Sequence, residues 1–241
     1  MEDDVSEDCR WGGREFLYSR ASWRDDSRAL DGSGICKGYG KVSMANWPDT
    51  ILELKACLDA LSVRDDLGKE IGPGFSFLRW RDITCQIRTD KKTVFLIGNG
   101  ASASMASHVA ADLAKNAHVH TQVFTDLSLI TAVANDLCYE EVYAEPLRRR
   151  INKNDMLVAI SSSGQSPNVL RASREALRLG GVLITLSAMS AENLLRTFGM
   201  LNFYVPVGSY GMAETCHAAI LHYWVNLMAE SLDKEKEGGN K

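Results

Sequence analysis

Five short apolar runs, separated by stretches that are mostly helical in pattern, constrain this chain more than any other feature. They are Val94-Phe95-Leu96-Ile97, Gln122-Val123-Phe124, Met156-Leu157-Val158-Ala159-Ile160, Val182-Leu183-Ile184-Thr185-Leu186 and Phe203-Tyr204-Val205. Strands that are apolar without alternation are buried on both faces, and helices between successive strands are the crossovers that make such strands parallel. The expected fold is α/β: a three-layer, doubly wound, parallel five-stranded sheet. Ligands of such sheets bind at the carboxyl ends of the strands, near the point where strand order reverses. The residues that carry function therefore belong in the loops that follow the strands.

Two helices are expected ahead of the sheet. Pro48 suits a first helical turn, and Ile51, Leu54, Leu58 and Leu61 recur at helical spacing, which predicts an amphipathic helix over 48–66. Gly72-Pro73-Gly74 breaks the chain, and a second helix is expected from Phe75 to Ile87. Residues 1–43 differ in kind: they hold 9 acidic and 7 basic residues and six Gly with no sustained apolar period. They are expected to form a poorly ordered extension, with Trp11, Phe16, Tyr18 and Trp23 as aromatic anchors to the domain or a partner. The working domain is expected over 44–232, with N-terminal helices in 48–90, a sheet core in 93–232 and a flexible tail at 233–241.

Charge and cysteine content exclude several functions. The net charge is -4, which argues against nucleic acid as a main partner. No apolar run approaches the ~20 residues of a membrane span. The first residues, Met-Glu-Asp-Asp, are acidic where a secretory leader is basic, so a cytoplasmic location is expected. Six Cys at 9, 36, 57, 85, 138 and 216 form no CxxC pair, and reduced thiols are expected.

Two loops then stand out. After the first strand, Gly98-Asn99-Gly100-Ala101-Ser102-Ala103-Ser104 opens a helix reaching about Asn116, and its glycines let backbone N–H groups approach an anion. The same string satisfies G-x-G-x-x-A, the dinucleotide fingerprint, with Asp126 as a candidate ribose-binding acid. After the third strand comes Ser161-Ser162-Ser163-Gly164-Gln165-Ser166-Pro167, with Ser166 as N-cap and Pro167 at N1 of a helix through about Leu179. Four hydroxyls and a glycine at a helix N-terminus can hold a phosphate monoester with neutral donors and the helix dipole.

Metal-capable side chains form a third feature. His108 and Asp112 are four apart on the helix after the glycine loop and share a face. On the last helix Glu214 and His222 are eight apart, or about 80° around the axis at ~100° per residue, and His217 lies some 60° on the other side of Glu214. Two nitrogens and two oxygens would suit a tetrahedral site of zinc type.

Together these residues resemble the sugar isomerase (SIS) domain, and specifically the phosphoheptose isomerase family. The resemblance runs from about 94 to 230, through Gly98-Asn99-Gly100-Ala101-Ser102, His108-Val109-Ala110-Ala111-Asp112-Leu113, Ala134-Asn135-Asp136, Ile160 to Ser166, and Glu214 to His222. It implies a flavodoxin-like SIS domain in which Ser161, Ser162, Ser163 and Ser166 hold the sugar phosphate. Asn99, Gly100, Ala101, Ser102, Asn135, Asp136 and Glu214 would border the substrate, and His108, Asp112, Glu214 and His222 would hold the family's metal, usually zinc. Three positions depart from the best-known pattern: Ala101 stands for a glycine, Asp112 for a glutamate, and Glu214 for a glutamine.

The activity so implied is isomerisation of sedoheptulose 7-phosphate to a glycero-manno-heptose 7-phosphate by proton transfer through an enediol. Asp112 or Glu214 would be the base, His222 the acid/base partner or ligand, and zinc the polariser of the carbonyl. Apolar faces on the helix at 48–66 and on the last helix, with Ile220, Leu221, Trp224, Leu227 and Met228, point to self-association, and the resemblance implies a homotetramer. The alternatives are a non-catalytic SIS protein that binds a phosphosugar or associates with a replication initiator, and a dinucleotide-dependent oxidoreductase built on the Gly98 loop.

Overall fold

A computed structural model describes residues 46–238. The expected extension at 1–43 lies outside the described residues. The order of elements is α1 (Trp47–Asp59), β1 (Ser62–Asp65), α2 (Pro73–Thr89), β2 (Thr93–Gly98), α3 (Ala101–Ala117), β3 (His120–Val123), α4 (Leu127–Asp136), α5 (Ala144–Arg150), β4 (Met156–Ser161), α6 (Pro167–Arg178), β5 (Val182–Ala188), β6 (Leu201–Val205) and α7 (Tyr210–Gly238). The sheet order is β1-β6-β5-β4-β2-β3, and every pairing from β6 to β3 is parallel.

The strands divide their side chains between two cores, as the pleat requires. Val94, Leu96, Val158, Ile160, Ile184 and Leu186 join Ala106, Val109 and Leu113 of α3 and Ile220, Leu221 and Trp224 of α7. Phe95, Ile97, Leu157, Ala159 and Leu183 face the other way, onto Val169, Leu170, Ala172 and Ala176 of α6. In the first core Trp80 of α2 stacks on Trp224 at 4.1 Å, and Trp224 Nε1 donates to Thr84 Oγ1 at 3.2 Å. Such a ring pair contributes about 0.5–1.5 kcal/mol beyond its buried area.

Two boundaries differ from expectation. The helix expected over 48–66 ends at Asp59, and Ser62–Asp65 instead form a sixth strand, antiparallel to β6. Four mixed residues give no readable period; β1 is stabilised by its ladder with β6, by burial of Val63, and by a turn in which Asp65 Oδ1 accepts from Leu67 N and Lys69 N. At the other end α7 runs on to Gly238, past the boundary expected at 232.

The winding fixes where a ligand can sit. From β2 the chain crosses to β3 on one side and then to β4 on the other, so β2 and β4 are the neighbours between which strand order reverses. The helices that follow them, α3 and α6, leave on opposite faces and open a crevice at the carboxyl ends. No helix of the described residues is long and apolar enough to cross a membrane.

Candidate functional site

The loops after β2 and β4 face each other across that crevice and wall a cleft of about 170 Å³. Its lining includes Asn99, Ser102, Ser161, Ser162, Ser163 and Ser166, closed on one side by Tyr210 and Glu214 from the first turn of α7. A larger open hollow of about 570 Å³ lies around Thr93, His118 and His120, at the amino ends of β2 and β3, where no chemistry converges.

Each loop is shaped by its glycine. At Gly98 a Cβ would fall 2.6 Å from Ser102 Cβ, so only glycine lets α3 start this close to the strand. At Gly164 φ is +62°, a left-handed value that side-chain-bearing residues adopt at a cost. Ser166 is the N-cap of α6 with Pro167 following, as expected, but its hydroxyl makes no capping bond. It pairs instead with Ser161 Oγ at 3.0 Å, which leaves the helix N-terminus to a ligand. No Lys or Arg lines the cleft, so hydroxyls, backbone amides and the α6 dipole are what it offers an anion.

Two side chains outside the expected set, Asn168 and Tyr143, hold the two loops in place. Asn99 Nδ2 donates to Asn168 Oδ1 at 3.0 Å, and Asn168 Nδ2 donates to Asn99 Oδ1 at 2.8 Å. The buried Tyr143 hydroxyl donates to Gly98 O, and burial pushes its phenol up to about 12. Asn168 stands in the first turn of α6, where an amide so close to a serine loop was a readable cue; Tyr143 and Tyr210 gave none.

The metal-capable residues come together in part. His108 and Asp112 stand one turn apart on α3, with His108 Nε2 and Asp112 Oδ2 at 3.3 Å. The His222 ring of α7 meets the His108 ring edge-on at 5.3 Å between centroids. Among the described residues these three have ligand atoms that all lie within 4.8 Å of one another. Glu214, expected as a fourth member, stands apart and lines the cleft instead. Eight residues of helix separate it from His222 by about 12 Å along the axis as well as by about 80° around it. His217 is buried in the core, where Nε2–H donates to Ser187 O at 3.2 Å; desolvation lowers its pKa to about 4.

Other expected contacts are absent from the cleft. Asn135 and Asp136 are exposed in the last turn of α4 and hydrogen-bonded to each other at 2.9 Å. Gly100 and Ala101 begin α3 without lining the cleft. Asp126, the candidate ribose acid, caps α4 by accepting from Leu129 N at 2.9 Å, and this bond holds its carboxyl below the usual range.

Residues 81–188 match the SIS domain family. A phosphoheptose isomerase of Chlorobaculum parvum is 37% identical over 145 residues, or 56% of this chain and 68% of that protein. A phosphoheptose isomerase structure from Francisella tularensis superposes with a TM-score of 0.63 at 20% identity, covering 76% of this chain and 95% of that one. One from Neisseria gonorrhoeae gives 0.58 at 24% identity, covering 64% and 85%. These two share the fold.

Proposed function

This chain belongs to the phosphoheptose isomerase family of SIS-domain proteins, and from that premise we propose that it interconverts sedoheptulose 7-phosphate and D-glycero-D-manno-heptose 7-phosphate. The observation that carries the proposal is the pairing of a serine-walled anion cleft with a His–Asp–His cluster on the same two helices. Ser102 and Glu214 border the cleft in the first turns of α3 and α7, and His108, Asp112 and His222 follow further along. Six residues on α3 and eight on α7 place the cluster about 9 to 12 Å from the cleft along the helices. A linear seven-carbon sugar separates its phosphate from C1 by a distance of that order.

In this reading Ser161, Ser162, Ser163 and Ser166 hold the phosphate with the N-terminus of α6. At the far end of the sugar, a base takes the proton from C1 of the ketose and returns it to C2 through an enediol, while a hydroxyl proton moves between O2 and O1. Of the two carboxylates expected as the base, Asp112 stands at that end and takes the carbon-bound proton, whereas Glu214, beside the phosphate cleft, contacts the substrate. His222 carries the oxygen-bound proton or serves as a ligand.

A metal ion fits the cluster by donor chemistry. Two imidazoles and one carboxylate with an open position are a catalytic zinc set, and His108, Asp112 and His222 would hold the ion. When bound it would polarise the substrate carbonyl as a Lewis acid. Both imidazoles bind an ion only as the neutral ring, so the ion and protons compete for the same nitrogens.

We further propose a cytoplasmic homotetramer. Trp47, Ile51 and Leu52 of α1, Phe75 and Leu78 of α2 and Tyr223 of α7 are exposed apolar groups that self-association would cover. A monomer by light scattering at micromolar concentration would overturn the assembly. The activity is tested by incubating the protein with sedoheptulose 7-phosphate, with and without zinc, and following the aldose by NMR. Formation of the heptose aldose is expected, and no product in either condition would overturn the assignment.

A further inference from the structure

The serine loop leans on a residue that does not line the cleft. Asn193, in the turn after β5, is fully buried and its carboxamide is fixed at both ends. Nδ2 donates to Ser187 Oγ at 3.1 Å and to Ser190 O at 2.7 Å, and Oδ1 accepts from Arg196 N at 3.1 Å. Gly164 presses against this side chain. A Cβ at position 164 would lie 2.0 Å from Asn193 Oδ1 and 2.2 Å from its Cγ. Backbone bonds hold the glycine from both sides: Gly164 N donates to Ser161 O at 2.9 Å, and Leu195 N donates to Gly164 O at 3.1 Å.

We propose that Asn193 is a positioning residue for the phosphate-binding loop: anchored to Ser187, it forms the wall against which Gly164 makes its left-handed turn. That turn decides where Ser162, Ser163 and Ser166 present their hydroxyls. Strand β5 then holds the loop twice, once directly, since Ala188 N donates to Ser162 O at 2.9 Å, and once through Ser187 and Asn193. Shortening Asn193 leaves a gap behind Gly164 into which the loop relaxes, so phosphate binding suffers while the His108–Asp112–His222 cluster, on other elements, does not.

The proposal rests on the cleft being the phosphate site, and its test separates the two. Asn193→Ala, Gly164→Ala and the double variant are prepared in the full chain, with Asn193→Asp as a variant that keeps volume and the Arg196 contact but loses both donors and sets a carboxylate oxygen against Ser190 O. Inorganic phosphate is titrated by calorimetry, kinetics are measured on sedoheptulose 7-phosphate, and melting temperatures complete the cycle. Asn193→Ala should weaken phosphate binding and raise KM, each about tenfold, the size of one to two lost hydrogen bonds. Asn193→Asp should do so at least as strongly, because its carboxylate is buried against Ser190 O, with kcat held within about threefold in both, as expected for loss of ground-state binding alone. Gly164→Ala should lower the melting temperature less when Asn193 is already Ala, because the two side chains compete for one space. Unchanged phosphate affinity in both Asn193 variants, a loss confined to kcat, or strict additivity in the melting cycle would overturn the brace. Failure of the unaltered protein to bind phosphate would overturn the cleft assignment instead, and the melting cycle then decides the brace alone.

Discussion

Asn99 and Asn168 exchange two hydrogen bonds across the crevice, at 3.0 and 2.8 Å, and so join the loop after β2 to the first turn of α6. Asn168 is buried, and its Oδ1 also accepts from Val169 N at 3.0 Å. This amide pair sets the width of the cleft that its neighbours line. Asn168→Ala leaves Asn99 Nδ2 without its acceptor, with only the Tyr143 hydroxyl still on Oδ1 at 3.4 Å, and should cost about 1–3 kcal/mol of stability, measured by urea denaturation. Asn99→Ala should show a coupling of at least 0.5 kcal/mol with it in a double-mutant cycle; additive losses would count against a shared role.

Asp112→Ala and His222→Ala should each abolish turnover with circular dichroism unchanged, because both side chains lie outside the buried core. Near-normal isomerisation in either variant would sink the assignment. Asp112→Asn and Glu214→Gln separate the two carboxylates: loss of the base removes exchange of the C1 proton with deuterated solvent, whereas loss of a substrate contact weakens binding but preserves exchange. The base should contribute at least about 10²-fold to the rate.

Dialysis against a chelator should remove activity, and zinc should restore it. His108→Ala should lower metal content, measured by atomic absorption, without touching the serine cleft. Full zinc stoichiometry in that variant would remove His108 from the site.

Ser161 and Ser166 share one hydrogen bond at 3.0 Å at the mouth of α6. Ser166→Ala should raise KM for the sugar phosphate about tenfold, the magnitude of one charge-assisted hydrogen bond. Binding of the dephosphorylated sugar should be unaffected. Equal losses for both sugars would place Ser166 away from the phosphate.

His217 makes stability depend on pH. Burial lowers its pKa from 6.5 to about 4, so the folded protein holds it neutral, and donation to Ser187 O places the proton on Nε2. Between pH 6.5 and 4 the unfolded chain binds a proton that the folded chain does not, and stability therefore falls as pH falls through that window. Its contribution is complete above pH 6.5 and lost by about pH 4. His217→Gln should flatten this limb of the urea midpoint against pH; an unchanged slope would show that other groups carry it.

Much of this protein is readable along the chain. The strands at 94–97, 156–160 and 182–186, the glycine and serine loops, and the start of α6 at Ser166 and Pro167 all depend on local rules: period, propensity and capping. The same locality explains why His108 and Asp112 could be paired, since both lie on one helix one turn apart. Tertiary structure decided the rest. Strand β1 exists because β6 offers it a ladder, and the Asn99–Asn168 pair spans 69 residues of sequence. Glu214 was separated from His222 by axial rise, which a count of degrees around the helix omits, and it went to the cleft. Residue type and spacing determine what chemistry a chain can carry; which groups meet is decided by the direction in which each strand delivers its helix, and here α3 and α7 start at the same end of the sheet.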